Sequence, residues 1–131
     1  MKYLPPFDQI RRAVEISTVR GELRVSLSYD DFINVIRVML SGIQVDEEWY
    51  LNEYPDIEQA IRDGTVASAR QHFIQDGYFE GRRPFRMPVD ERWYLEQYPD
   101  VADSVRKGVV GSGDQHFLED GYREGRLPSE I

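Results

Sequence analysis

At 131 residues, 31% charged and 12% aromatic, the chain has room for one domain or two small ones and enough ring surface to bury a core, so it does not read as disordered. With no Cys it can form no disulfide, thiolate metal site, cysteine nucleophile or iron–sulfur cluster. The net charge of −8 is uneven, with six basic and five acidic residues in 1–44 against ten and 19 in 45–131. Such a surface repels phosphate backbones and anionic membranes, so no nucleic-acid partner is expected.

No stretch approaches the ~20 apolar residues that cross a bilayer, so no membrane insertion is expected. The opening Met1-Lys-Tyr-Leu-Pro-Pro-Phe-Asp8 lacks the apolar segment of an export signal, and the expected location is cytoplasmic. Two readings compete over 7–27. Phe7, Ile10 and Val14 fit a helix over 7–18, whereas Val14, Ile16 and Thr18 alternate, as do Leu23, Val25 and Leu27. An Arg20-Gly21 turn would put both triplets on one face of a hairpin over 14–27, and the alternation favours that reading. A lone two-stranded ribbon is barely stable and has open edges, so it calls for cover by a helix or by another subunit, and a homodimer is expected. Ser28 followed by Asp31 then starts a helix over 29–41, with Phe32, Val35, Ile36, Met39 and Leu40 at helical spacing and Gly42 as its stop.

From Val45 onward the chain is duplicated without gaps at a period of 44: residues 45–84 and 89–128 share 23 of 40 positions. Each copy reads as three short helices. In the first, Asp46 caps a helix carrying Trp49, Tyr50 and Tyr54. Pro55 ends it and opens the next, whose apolar face is Ile57, Ala60 and Ile61 and whose left-handed stop is Gly64. Ser68 and Gln71 form a capping box for the third helix, repeated by Ser112 and Gln115. That third helix is expected to stop at a left-handed Gly77, with Phe73 touching Tyr78, and its twin at Gly121. Helices this short are marginal alone, so their apolar positions must meet across helices and across the copies. The fold class is therefore mainly α with a small N-terminal β-hairpin. An N-terminal segment, 1–44, precedes two three-helix repeats, 45–84 and 89–128, packed together and joined by a linker at 85–88.

The motif Tyr-Leu-x-x-Tyr-Pro-Asp-Ile/Val, then a helix and Gly, then His-Phe-x-x-x-Gly-Tyr-x-Glu-Gly-Arg, resembles a short bacterial tandem repeat. Copies of that repeat stand beside glycosyltransferase domains, in polysaccharide-related and large surface proteins, and alone in small proteins. The resemblance covers about 45–128 and implies an association with envelope polysaccharide machinery. Many such copies have Asn before the Pro-Asp, where this chain has Tyr54 and Tyr98. No Asp- and Gly-rich calcium nonapeptide is present, so a calcium role of neighbouring domains does not transfer.

Candidate chemistry centres on the two His residues. His72/Asp76 and His116/Asp120 are spaced i, i+4, which on an α-helix can present two metal ligands or an acid–base couple, and equally describes an ordinary helix pair. An Asp at a helix C-terminus opposes the dipole, so Arg82 and Arg126 are its expected partners. Glu80-Gly-Arg82 and Glu124-Gly-Arg126 can offer an Arg fork to an anion or clip the chain to its own helix ends. Trp49, Tyr50, Trp93 and Tyr94 suit a sugar-stacking platform or a core. Arg82, Arg83, Arg86 and Arg92 form the one basic run, either a dock for an acidic partner or a solvated linker. No phosphate loop, dinucleotide glycine pattern, HExxH or GxSxG appears, and no catalytic residue, metal or cofactor is expected. The expectation is a non-enzymatic module docking on a protein partner or on itself, through Trp49, Tyr50, Tyr54, Trp93, Tyr94, Tyr98, Arg82 and Arg126. The runner-up is a carbohydrate or metal site at the repeat junction, using aromatic residues with His72, Asp76, His116 and Asp120.

Overall fold

The computed structural model describes residues 2–131. It falls into two units, Met1–Phe85 and Arg86–Ile131. The first begins with α1 (Phe7–Arg12), β1 (Glu15–Val19), β2 (Glu22–Ser26) and α2 (Tyr29–Leu40). Repeat 1 follows with α3 (Glu47–Glu53), α4 (Pro55–Arg62) and α5 (Ala69–His72), the last running into a π-helical turn, Phe73–Gly77. The second unit holds the matching α6 (Glu91–Gln97), α7 (Pro99–Arg106), α8 (Gly113–His116) and π turn Phe117–Gly121. Among the described residues no helix is long and apolar enough to cross a membrane.

Both readings of the N-terminal segment are realised, on different residues. Asp8 in the first turn and Arg11 and Arg12 in the last suit the dipole of α1, which ends before the alternating stretch begins. The hairpin pairs Ile16 with Val25 and Thr18 with Leu23, and Arg20 and Gly21 both take positive φ (51° and 79°), the backbone that a two-residue hairpin turn requires. The expected cover by a helix is not there: every residue of both strands is exposed.

In α2 the Ser28 hydroxyl accepts the Asp31 N–H at 3.1 Å, as the cap predicts. Gly42 is not a left-handed stop, because it has no positive φ. It is Gly because the Tyr3 backbone occupies the place of a Cβ, with Lys2 N–H donating to the Gly42 carbonyl at 3.0 Å. Leu40 and Ile36 of α2 complete the core of repeat 1. The Arg37 guanidinium donates to the Gln75 carbonyl at 2.8 Å and lies over the Phe79 ring, and the Arg70 guanidinium donates to the Ser41 carbonyl.

Each repeat has its own buried cluster. Tyr50, Ile57, Ala69 and Phe73 are buried in the first, and Tyr94, Val101 and Phe117 in the second. Asp46 caps α3 through the Trp49 N–H at 3.0 Å, Pro55 opens α4, and Gly64 (φ 77°) ends it with Thr65 N–H on the Ala60 carbonyl at 2.9 Å. Ser68 caps α5 at the Gln71 N–H, while the Gln71 side chain reaches past the box to the Ala67 N–H at 3.1 Å. A further cap comes from a neighbouring helix. Glu47, in the first turn of α3, accepts the Arg70 N–H at 3.0 Å, and Glu91 accepts both Gly113 and Asp114 N–H at 2.6 and 2.9 Å.

The stop expected at Gly77 and Gly121 lies four residues later. Tyr78 keeps right-handed helical angles, and the left-handed residues are Gly81 (φ 81°) and Gly125 (φ 80°). Arg82 N–H then closes onto the Gly77 carbonyl at 2.9 Å. The ends of each repeat meet in one hydrogen bond: Asp46 N–H donates to the Pro84 carbonyl, and Asp90 N–H to that of Pro128, each at 2.9 Å.

Candidate functional site

The His residues stand inside the repeats and not at an open site. The Tyr50 hydroxyl lies 2.8 Å from His72 Nδ1, and His72 Nε2 lies 3.4 Å from Glu80 Oε1. Tyr50 is fully buried and His72 nearly so. Burial pushes the Tyr50 phenol well above its ordinary value and that of Tyr94 up to about 12, so both stay protonated at neutral pH. The Tyr50 hydroxyl and His72 Nδ1 share one buried hydrogen bond, and Nε2 on the other side of the ring faces the Glu80 carboxylate. Tyr94 and His116 repeat the 2.8 Å bond.

Gly77 makes this approach possible. A Cβ there would overlap the Tyr50 hydroxyl, and one at Gly121 would overlap that of Tyr94. These glycines are needed for space and not for φ.

The expected pairing of His72 with Asp76, and of Asp76 with Arg82, does not form. The i, i+4 rule presumes an α-helix, and the π turn between these residues removes that alignment. Arg82 instead holds both carboxylate oxygens of Asp56, at 3.0 and 2.8 Å, across the N-terminus of α4. Arg126 holds Asp100 in the same way, at 2.9 and 2.7 Å, in place of Asp120. Each guanidinium also lies 4.9 Å from a ring, Tyr54 or Tyr98. The hydrogen bonds from Arg82 hold the Asp56 carboxyl below its ordinary range, and those from Arg126 bring Asp100 down to about 2. The same bonds push both guanidinium groups up. With their forks filled by Asp56 and Asp100, Arg82 and Arg126 clip the chain to its own helix and offer no fork to an outside anion.

The aromatic residues expected as anchors divide. Tyr50 and Tyr94 are fully buried and cannot touch a partner. Tyr54 and Tyr98 are half-buried, their hydroxyls accepting the Arg83 N–H at 3.0 Å and the Leu127 N–H at 2.8 Å. Trp49 and Trp93 are half-buried, each edge-on to the Tyr of its own repeat at 6.2 Å. The basic run is not one patch either. Arg83 is buried over the Trp49 ring, Arg86 is exposed, and Arg92 pairs with Glu96 at 3.1 Å. Asp76 lines an open cleft of about 600 Å³ with Tyr29, Asp30, Arg37 and Phe79. Among the described residues no group of three or more His, Asp and Glu is placed to hold a metal ion.

Apolar surface is also uncovered in the N-terminal segment. Leu23 and Tyr29 are 78% and 75% exposed, and Phe7, Ile16, Val25 and Phe32 are exposed as well. The named anchors lie in the repeats, whereas this segment holds the ribbon for which cover by a helix or by another subunit is expected. Comparison with family models, curated proteins and solved structures returns no match.

Proposed function

We propose that the chain is a non-enzymatic interaction module whose repeats are the scaffold and whose N-terminal hairpin docks on a second copy of the chain. The observation that carries this is the ribbon exposed along all ten strand residues, with Ile16, Val25 and Leu23 on one unshared face. Antiparallel pairing of two β1 strands about Ser17 sets Glu15 opposite Val19 and Ile16 opposite Thr18, so no like charges meet. Pairing through β2 about Arg24 would set Arg24 against itself, which favours the β1 edge. The product is a four-stranded sheet with a continuous apolar face, past the size at which a sheet becomes stable. The near-neutral charge of 1–44 lets two such segments approach where two acidic repeats would repel. The resemblance of 45–128 to repeats found beside glycosyltransferase domains supports an adaptor role around polysaccharide machinery, on the cytoplasmic side.

Light scattering and sedimentation of the full chain test the reading. A dimer is expected, with Ile16→Lys and Val25→Lys shifting it to monomer while the near-ultraviolet signal of the repeat aromatics stays unchanged. A wild-type monomer at the highest soluble concentration overturns it.

A further inference from the structure

The two repeats are built alike, yet only one of them has a helix seated on its third-helix face within its own unit. In repeat 1, α2 lies against α5 and the π turn: Leu40 and Ile36 enter the core, Ile74 is half-buried beside them, and Arg37 reaches the Gln75 carbonyl. Among the described residues, the core of repeat 2 has no counterpart of Leu40 or Ile36. At the position of Ile74 it carries Leu118, which is 36% exposed, flanked by exposed Gln115, Glu119 and Asp120. From this internal precedent we infer that the face of α8 and its π turn receives an amphipathic helix from a partner protein, and that this helix is basic.

The substitutions between the copies specify the occupant. An apolar pair at i, i+4 takes the part of Ile36 and Leu40 and covers Leu118. Gln75 becomes Glu119, so a guest Lys or Arg near the position of Arg37 meets a carboxylate as well as a carbonyl. Arg70, which holds the Ser41 carbonyl at the C-cap of α2, becomes Asp114. An acid faces the C-terminal end of the guest, so the guest must bring its own cation there, where the helix dipole also favours one. α2 itself, with Asp30, Asp31 and one Arg, is a poor fit to this acidic face. The inference stands on different residues from the hairpin and is independent of its dimerisation.

A synthetic peptide of residues 28–42 carrying Asn34→Lys and Ser41→Arg serves as the probe, titrated into the full chain by calorimetry, with the unsubstituted peptide alongside. The substituted peptide is expected to bind at least about tenfold more tightly than the parent, to weaken as salt rises, and to lose about tenfold with Leu118→Asp or Glu119→Lys. Both substitutions fall on exposed side chains, and an unchanged far-ultraviolet spectrum confirms that each variant is folded. The inference is overturned if the substituted peptide does not bind, or if it binds the two variants as well as it binds the wild type.

Discussion

Replacing Gly77 by Ala tests the buried Tyr50–His72 contact most directly. The added Cβ enters the space of the Tyr50 hydroxyl and comes within 3.3 Å of His72 Nδ1. Neither ring can step aside, because Tyr50 is fully buried between Tyr54 and Phe73, with ring centroids at 4.8 and 6.1 Å. Overpacking of this kind costs about 1–3 kcal/mol. Pulling the phenol off Nδ1 leaves buried polar atoms unpaired, at about 1–3 kcal/mol. The helix preference of Ala over Gly returns only about 1 kcal/mol. A net loss of about 1–5 kcal/mol is expected. Gly64→Ala is the contrast: nothing lies within 4 Å of its Cβ, and its cost is the left-handed backbone alone, about 1–2 kcal/mol. Urea unfolding gives the size of the loss, and hydrogen exchange of residues 69–82 against 113–126 shows which repeat has loosened. Adding Tyr50→Phe removes the clashing oxygen, so the double variant is expected to lose less than the sum of the singles, by at least about 1 kcal/mol. A Gly77→Ala protein as stable as wild type, or singles that simply add, would refute the reasoning.

Two further outcomes follow from the Arg–Asp clips. Asp100 has a folded pKa of about 2 against an ordinary 3.8, so its contribution is full above about pH 5 and disappears as pH falls through the folded value. Its side chain is 64% exposed, which limits that contribution to about 1 kcal/mol. Asp100→Asn is therefore expected to lower the melting temperature clearly at pH 6 and by much less near pH 2, where the folded carboxylate is already half protonated. Equal losses at both pH values would contradict the assignment. Arg82→Lys forfeits the two-pronged bond to Asp56 and the stacking on Tyr54, and is expected to cost about 1–2 kcal/mol in urea unfolding, with Arg126→Lys matching it in repeat 2. A lysine variant as stable as the wild type would show that a point charge suffices.

The parts legible in the sequence were those set by residues near one another. Asp46 and Ser68 name their caps, Pro55 and Gly64 mark both ends of α4, and the Arg20-Gly21 turn fixes the strand register. What stayed hidden needed knowledge of space. Gly77 and Gly81 recur in both copies and either can end a helix. Only the position of Tyr50, 22 residues before its His partner, shows that the first glycine makes room and the second makes the turn. The His72–Asp76 pairing failed because the spacing rule assumes 3.6 residues per turn, and five residues wind more widely here. The bond from Arg82 to Asp56 spans 26 positions, and no local rule chooses Asp56 over the nearer Asp76. Over 7–27 helix and hairpin looked exclusive only because the two readings overlapped at 14–18; α1 stops at Arg12 and leaves β1 free.

The bond between Asp46 and Pro84, matched by Asp90 and Pro128, has a consequence for how such chains grow. A stretch whose first and last residues touch can be cut out or spliced in while its neighbours stay nearly where they were. Each repeat also brings its own caps, glycine space, arginine clip and buried tyrosine and phenylalanine, so an added copy carries most of what it needs to fold. Duplication then yields a working second body at once, and substitutions such as Arg70 against Asp114 are free to give that body a different surface.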